Sequence, residues 1–475
     1  MFKIKQGIAI TLFVALQLTG LAQQATKQET NSLPIGVFDS GTGGLTVLEA
    51  ILKLDAFNNE TGEPGADGKP DFTKEQFQYL ADQANMPYGN YAAAGKTDLL
   101  KEHVLKNLQF LLANKYDQPT GTSWVSDNKA NVKMVVVACN TATAYALSDM
   151  KAYIKEYKEG IPCIGVIDAG SKAALLYQQT HKGTIGVFAT AGTVASNGYP
   201  RTLKALAAKY AGVGELSIIC QGGVGLAESI DRDNDYFNDT VTKTRSNYRG
   251  PSLKNTSLSI DTSLLPAYHF DKSYNKLLCE FDPNNPNNCL DMQINDPENY
   301  VRYHLVTLLE KMRAQHIELP LNTLILGCTH YPYMKDTIAK VLKELYNFKN
   351  GDVYRYRPFM AEHIELIDPA IETAKEAYLA LRANHLEAKV ASKDKPHFFI
   401  CVPNTDLKEV KLETNGWFTY NYKYSRNAGE NKQYIRVEPF STKNISAATY
   451  QRFKVALPHV YPLLSKQVVG LTTSF

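Results

Sequence analysis

From Leu33 onward, short apolar runs alternate with longer amphipathic stretches. That rhythm is the pattern of buried parallel strands joined by crossover helices, so the spacing predicts an α/β fold. Strands are expected over residues 35–38, 77–81, 132–138, 163–167, 184–188, 216–220, 323–326 and 364–367. Between them, stretches such as 96–113 and 300–314 carry apolar residues at spacings of three and four and read as helices with one buried face. Three segments break the rhythm. Residues 58–70 are rich in Gly, Pro, Asn and Glu and read as an exposed loop. Residues 231–299 are polar with little periodicity and read as a long surface insertion. Beyond 384 come Tyr-, Lys- and Asn-rich runs, and the alternation from Trp417 to Tyr424 predicts strands of a small added lobe.

The bulk numbers refine this picture at a few points. A chain of 475 residues with 44% hydrophobic positions has room for two or more cores. Net charge is only +3, and its Lys and Arg residues are scattered, so no nucleic-acid or other polyanionic partner is expected. The first two dozen residues differ from the rest. Lys3 and Lys5 precede an apolar run over 8–18, and small residues follow up to Ala22. This has the form of a secretory signal (1–22) cleaved after Ala22, and the run is shorter than the roughly 20 apolar residues of a spanning helix. Export, in a bacterial cell to the periplasm, is therefore expected, with no stable membrane insertion after cleavage. Seven cysteines cannot all pair within one chain, so at least one thiol stays outside any internal disulfide. Cys279 and Cys289 flank an Asn- and Pro-rich stretch in which a local disulfide is easy to form.

Chemistry concentrates at the ends of the predicted strands. The segment from Ile35 to Val47 reads as strand, Gly-rich turn (Asp39-Ser40-Gly41-Thr42-Gly43-Gly44) and helix. Ligands bind at such strand ends, where the first helical amides favour an anion. The third glycine of a dinucleotide fingerprint is replaced by Thr46, which points to a small carboxylate rather than a pyrophosphate; the other reading is that Asp39 caps the helix. Gly95-Lys96-Thr97 lacks the earlier glycine of a phosphate-binding loop, since position 90 is Asn.

Two cysteines share one context. Cys139, in Val-Val-Val-Ala-Cys-Asn140-Thr141-Ala, and Cys328, in Leu-Ile-Leu-Gly-Cys-Thr329-His330-Tyr-Pro, each follow a buried strand and a small residue. Lone strand-end cysteines are usually packed apolar residues. A matched pair suits a near-symmetric reaction, in which one thiolate takes the Cα proton of an amino acid and the other thiol delivers a proton to the opposite face. Ser40, Asn140, Thr141 and Thr329 are groups able to meet the charge that develops on the substrate carboxylate. His330 and helix N-termini can assist thiol ionisation, and Asp39 can orient or receive a proton near Cys139.

The blocks Asp39-Ser40-Gly41-x-Gly43-Gly44-Leu45, Pro87-Tyr88-Gly89, Cys139-Asn140-Thr141-Ala142 and Gly327-Cys328-Thr329-His330-Tyr331-Pro332 resemble, in order, the signature blocks of glutamate racemase. The resemblance implies an aspartate/glutamate racemase-like fold of two pseudo-symmetric parallel-sheet lobes. One lobe would span 33–162, completed by 352–385; the other would span 163–351 with the insertion 231–299, leaving 386–475 as a C-terminal extension. It implies a cofactor-independent isomerase with Cys139 and Cys328 as acid and base, assisted by Asp39, His330 and a glutamate for which Glu228 is the candidate. Asp39, Ser40, Tyr88, Gly89, Asn140, Thr141, Thr329 and His330 would bind the substrate, which is glutamate with aspartate or another acidic amino acid as the alternative. A homodimer is compatible with it. The family's Gly-Asp-Thr-Ala-Arg is here Ala81-Asp82-Gln83-Ala84-Asn85, and its members are typically shorter, cytoplasmic and tied to cell-wall peptidoglycan precursors. Two other classes remain at this point: an exported binder of acidic amino acids without catalysis, and a cysteine hydrolase acting through Cys328 and His330.

Overall fold

A strand covered on both faces needs apolar side chains at every position rather than at alternate ones. The run Met134–Val137 meets that requirement in full, and Ile35–Asp39 and Phe77–Ala81, each carrying one buried polar residue, Asp39 and Gln78, are likewise buried throughout. In the computed structural model, residues 30–117, 125–126, 129–157, 160–391, 397–430 and 432–468 are described. The predicted signal segment lies outside the described residues. Among the described residues, no helix is long and apolar enough to cross a membrane.

In chain order, the principal strands are β1 (Ile35–Asp39), β2 (Phe77–Ala81), β3 (Met134–Val137), β4 (Cys163–Gly165), β5 (Thr184–Ala189), β6 (Ser217–Gly222), β7 (Leu277–Asp282), β8 (Asn285–Ile294), β9 (Leu321–Gly327), β10 (Met360–Ile367), β11 (His397–Pro403) and β12 (Ile435–Pro439). The helices used below are α1 (Leu45–Lys53), α2 (Thr97–Leu112), α3 (Asn140–Tyr157), α4 (Val166–Gln178), α5 (Gly198–Ala207), α6 (Leu226–Ile230), α7 (Pro297–Ala314), α8 (Lys335–Asn347), α9 (Pro369–Ala383), α10 (Tyr420–Ser425), α11 (Ala447–Ala456) and α12 (Tyr461–Gln467).

Two sheets organise the molecule. The first has the order β12-β11-β2-β1-β3-β4, and the second β10-β9-β5-β6. All neighbours are parallel except β12, which runs antiparallel to β11. Ile35 stands beside Phe77 on one side and Met134 on the other, which brings the carboxyl ends of β1 and β3 to one rim. Both faces of the first sheet are covered: α1, α9, α11 and α12 pack on one, α2 and α3 on the other. The second sheet is covered by α7 and α8 on one face and by α4 and α5 on the other.

Element assignments from the sequence place the strands well and their partners less well. The strand at 163 stops at Gly165 and forms the edge of the first sheet, with α4 starting at Val166; it does not open the second lobe. The expectation that 352–385 completes the first lobe holds for α9, whose Ala370, Ala374, Ala377 and Leu381 enter the first sheet's core. It is corrected for β10, which pairs with β9 in the second sheet. Parallel strands look alike in sequence whichever sheet they join, so only the crossover path settles their place.

The C-terminal region is likewise no separate lobe. β11 extends the first sheet beyond β2, pairing His397 with Gln78 and Ile400 with Ala81. Tyr450, Phe453, Leu457 and Leu464 of the last two helices are buried in the same core as Ile35 and Val37. The buried carboxylate of Glu49 on α1 anchors them, accepting hydrogen bonds from the backbone N–H of His459 and Val460 and pairing with the His459 ring. The alternation at 417–424 does not make a strand. Thr419 caps α10 by accepting from the Tyr422 amide, so tertiary packing overrides the β-propensity of the tyrosines. The insertion 231–299 is folded rather than merely superficial: β7 and β8 form a hairpin held by a Cys279–Cys289 disulfide. Ile260, Tyr268, Phe270 and Ile294 of that insertion are buried in the second lobe's core.

Candidate active site

The site is assembled from loops that leave the carboxyl ends of β1, β3 and β9. After β1 the chain must turn at once into α1, and Asp39 governs how: its Oδ2 accepts hydrogen bonds from the amides of Gly41 (3.2 Å) and Gly44 (2.9 Å). Those amides are therefore committed to Asp39 and are not left for a ligand; Gly44 is the N-cap of α1, so Asp39 closes the turn rather than capping the helix itself. Burial pushes the Asp39 carboxyl up, partly offset by these amide hydrogen bonds and by the nearby His330.

Cys139 sits two residues beyond the buried end of β3, at the N-terminus of α3. Its Sγ donates toward Ser40 Oγ at 3.5 Å and accepts from the Ala142 amide at 3.4 Å. Burial and the negative charge of Asp39 push this thiol up to about 12. Cys328 occupies the matching place after β9, with its Sγ 3.8 Å from His330 Nδ1. Both sulfurs belong to residues only 6% exposed.

The two loops meet. A methyl group at Gly43 would lie 2.9 Å from Thr329 Oγ1 and 3.4 Å from His330 Cε1, so the turn after β1 rests directly on the loop after β9. Tyr199 on α5 makes a second crossing, donating from its hydroxyl to Asn140 Oδ1 at 2.9 Å while packing against Gly327. A third is backbone on backbone: a methyl group at Gly192 would stand 2.9 Å from the Cα of Gly89. Asp39, Ser40, Cys139, Asn140, Cys328, Thr329 and His330 are thus gathered where the sheets face one another. Two surface hollows, of about 280 Å³ beside Lys151 and Cys163 and about 270 Å³ beside Pro266 and Glu344, are lined by none of these residues.

No family model matches the chain. Individual relatives do. Glutamate racemase of Carnobacterium sp. (strain St2) is 33% identical over 236 residues, covering 50% of this chain and 68% of that protein. The enzyme of Streptococcus agalactiae serotype III (strain NEM316) is 30% identical over 240 residues, covering 50% of this chain and 70% of its own. The chain belongs to the glutamate racemase family. A longer match, 26% identical over 366 residues, joins 77% of this chain to 85% of the glutamate racemase of Levilactobacillus brevis. Among solved structures, glutamate racemase isoform RacE1 from Bacillus anthracis is 24% identical and covers 78% of this chain and 88% of its own, with a TM-score of 0.45.

The protein is accordingly an isomerase, an amino-acid racemase. Two of the residues named from the resemblance have surroundings that their motifs do not specify. The Tyr88 side chain turns away into the first lobe's core, where its hydroxyl donates to Asp82 Oδ2 at 2.5 Å and accepts from Asn107 Nδ2 at 3.0 Å. Gly89, the next residue, stands at the lobe contact. Glu228 lies near His330, its carboxyl pushed up by burial, but the imidazole Nε2 pairs instead with Asp231 Oδ2 at 3.1 Å. Asp231 lies three residues beyond Glu228, at the end of α6, and carries no motif of its own. Burial alone would lower the His330 ring, yet hydrogen bonds to Asp231 and to the Cys328 sulfur outweigh it and hold the ring well above the ordinary histidine range.

The Gly89–Gly192 contact gives a direct prediction. Gly192→Val adds bulk where two backbones nearly touch, so the lobes must separate locally. An error of about 1 Å in placing reacting groups costs on the order of a hundredfold. Turnover measured by chiral chromatography is expected to fall about ten- to a hundredfold while far-ultraviolet circular dichroism is unchanged.

Proposed function

We propose that the chain is a cofactor-independent glutamate racemase in which Cys139 and Cys328 serve as paired acid and base on opposite faces of the substrate Cα. The observation that carries this reading is the contact of the Asp39–Gly44 turn, which holds Cys139 through Ser40, with Thr329 and His330, which flank Cys328. That contact supports a reading in which each sheet supplies one thiol to a common site.

The chemistry follows from the two environments. Cys328 lies beside the His330 ring that Asp231 orients, and it is assigned as the base. Cys139, with its thiol pushed up to about 12, is the resting acid. Cys328 thiolate removes the Cα proton and becomes a thiol; the Cα electron pair, delocalised into the substrate carboxylate, then takes the proton of Cys139, which becomes the thiolate. Ser40, the Ala142 amide and the N-terminus of α3 stabilise that second thiolate. Reaction of the other enantiomer runs the same steps backwards. Hydroxyl and amide groups of Ser40, Asn140, Thr141 and Thr329 supply donors for the carboxylate as its charge grows. Glutamate is favoured as substrate by the names of the relatives.

Export remains part of the proposal. It rests on the form of residues 1–22, and the Cys279–Cys289 disulfide supports an oxidising compartment. The near-complete burial of Cys139 and Cys328 would shield both thiols there.

The deciding experiment incubates the purified chain with L-glutamate or L-aspartate in heavy water, with reductant, followed by chiral chromatography and mass spectrometry. D-Glutamate carrying one deuterium at Cα is the expected product. Binding of glutamate with neither inversion nor exchange would reduce the protein to a binder.

A further inference from the structure

The His330 partner Asp231 is itself held from the opposite lobe. Arg452 Nη1 donates to Asp231 Oδ1 at 2.7 Å and to the Asp231 backbone oxygen at 3.2 Å, leaving Oδ2 for His330. Asp231 ends α6, whose Leu226 is buried in the second lobe. Arg452 projects from α11, whose Tyr450 and Phe453 are buried in the first. The ion pair therefore bridges the lobes beside the site and links the C-terminal region to His330.

We propose that Arg452 is a positioning residue of the active site, clamping the Asp231 carboxylate across the lobe interface so that it orients His330 against Cys328. The inference rests on the two-thiol reading. Two contacts from one guanidinium nitrogen, to the side chain and the main chain of the same residue, restrain both the rotamer of Asp231 and the end of α6. A carboxylate so fixed keeps its second oxygen aimed at the imidazole. Among the described residues, the other titratable groups facing this pair are Tyr333 near Asp231 and Arg452, and Cys328, Asp39 and Glu228 around His330. Both members of the pair are about half exposed, so the clamp is open to salt.

The test compares Arg452→Ala, Arg452→Lys, Asp231→Asn and the double variant Asp231→Asn/Arg452→Ala in the full chain, by racemase kinetics and by NMR titration of the His330 ring. The sign of the NMR shift separates the two possible roles. Were Arg452 only a nearby positive charge, its removal would make the imidazolium easier to form and raise the His330 midpoint. As a clamp, its removal frees Asp231, and the midpoint falls. We expect a lower midpoint and a kcat reduced roughly two- to fivefold in Arg452→Ala, the range open to a half-exposed ion pair. Partial rescue is expected in Arg452→Lys, and no further effect of Arg452→Ala in the Asp231→Asn background. Wild-type kcat should decline with added NaCl towards that of the variant, which itself should change less. An unchanged or raised midpoint, or an equal loss in both backgrounds, overturns the clamp. A wild type that does not racemise, with a midpoint still lowered by Arg452→Ala, would remove the two-thiol reaction and leave the clamp standing.

Discussion

Alanine at either Cys139 or Cys328 is expected to lower inversion of glutamate by about 100- to 10,000-fold, the usual contribution of a positioned acid or base. The two losses should be similar in size, because every turnover in either direction uses both sulfurs, one to take a proton and one to give it. Hydrogen exchange separates their roles. Cys139→Ala retains the Cys328–His330–Asp231 arrangement, so it should still wash deuterium into the enantiomer presented to Cys328 without inverting it. Cys328→Ala leaves a thiol whose proton is held up to about 12, so exchange in the resting enzyme should be much slower. A hydrolase working through Cys328 and His330 predicts the opposite asymmetry, with Cys139→Ala nearly inert. Inversion at the wild-type rate by Cys328→Ala would falsify the paired-thiol mechanism.

Removing the C-terminal region should abolish folding rather than trim an accessory. A chain ending at Ala391 would lack β11 and β12 and the last helices, and with them the buried Phe398, Ile400, Phe440, Tyr450, Phe453 and Leu464. Burial of such side chains contributes about 1.5–3 kcal/mol each. Their summed loss is comparable to the roughly 5–15 kcal/mol that holds a whole folded domain. The edge of β2 would also be bared along Gln78 to Ala81, offering unpaired backbone to other chains. Glu49, now satisfied by the His459 and Val460 amides, would be left with a buried carboxylate and fewer donors. Insoluble product, or a soluble chain without a cooperative thermal transition, is the expected result. A truncated chain melting within a few degrees of full length would mean that this region is an appendage after all.

The same region explains how far sequence reading could go. Apolar runs fix strands through local chemistry, since a segment such as Met134–Val137 can only be stable when both its faces are covered. The strand-end cysteines and the Gly-rich turn were legible for a related reason: each is a contiguous motif whose spacing determines its own geometry. Ser40 and Cys139, Asn140 and Tyr199, and the Gly43 turn and Thr329–His330 are neighbours in the fold. Tyr88 sits in its expected block, but the direction of its side chain depends on Asp82 and Asn107, which come from other elements.

What the sequence by itself determined is the α/β class, the position of nearly every core strand and the pair of matched thiols, because these depend on interactions within a few residues along the chain. Tertiary structure alone decided that β10 joins the second sheet, that β11 and β12 extend the first, and that Asp231 rather than Glu228 pairs with His330. It also brought Arg452 to Asp231 from 221 positions away. Such contacts are selected by which buried faces and charges are left to be satisfied once the lobes have closed on one another, and no local pattern encodes that remainder.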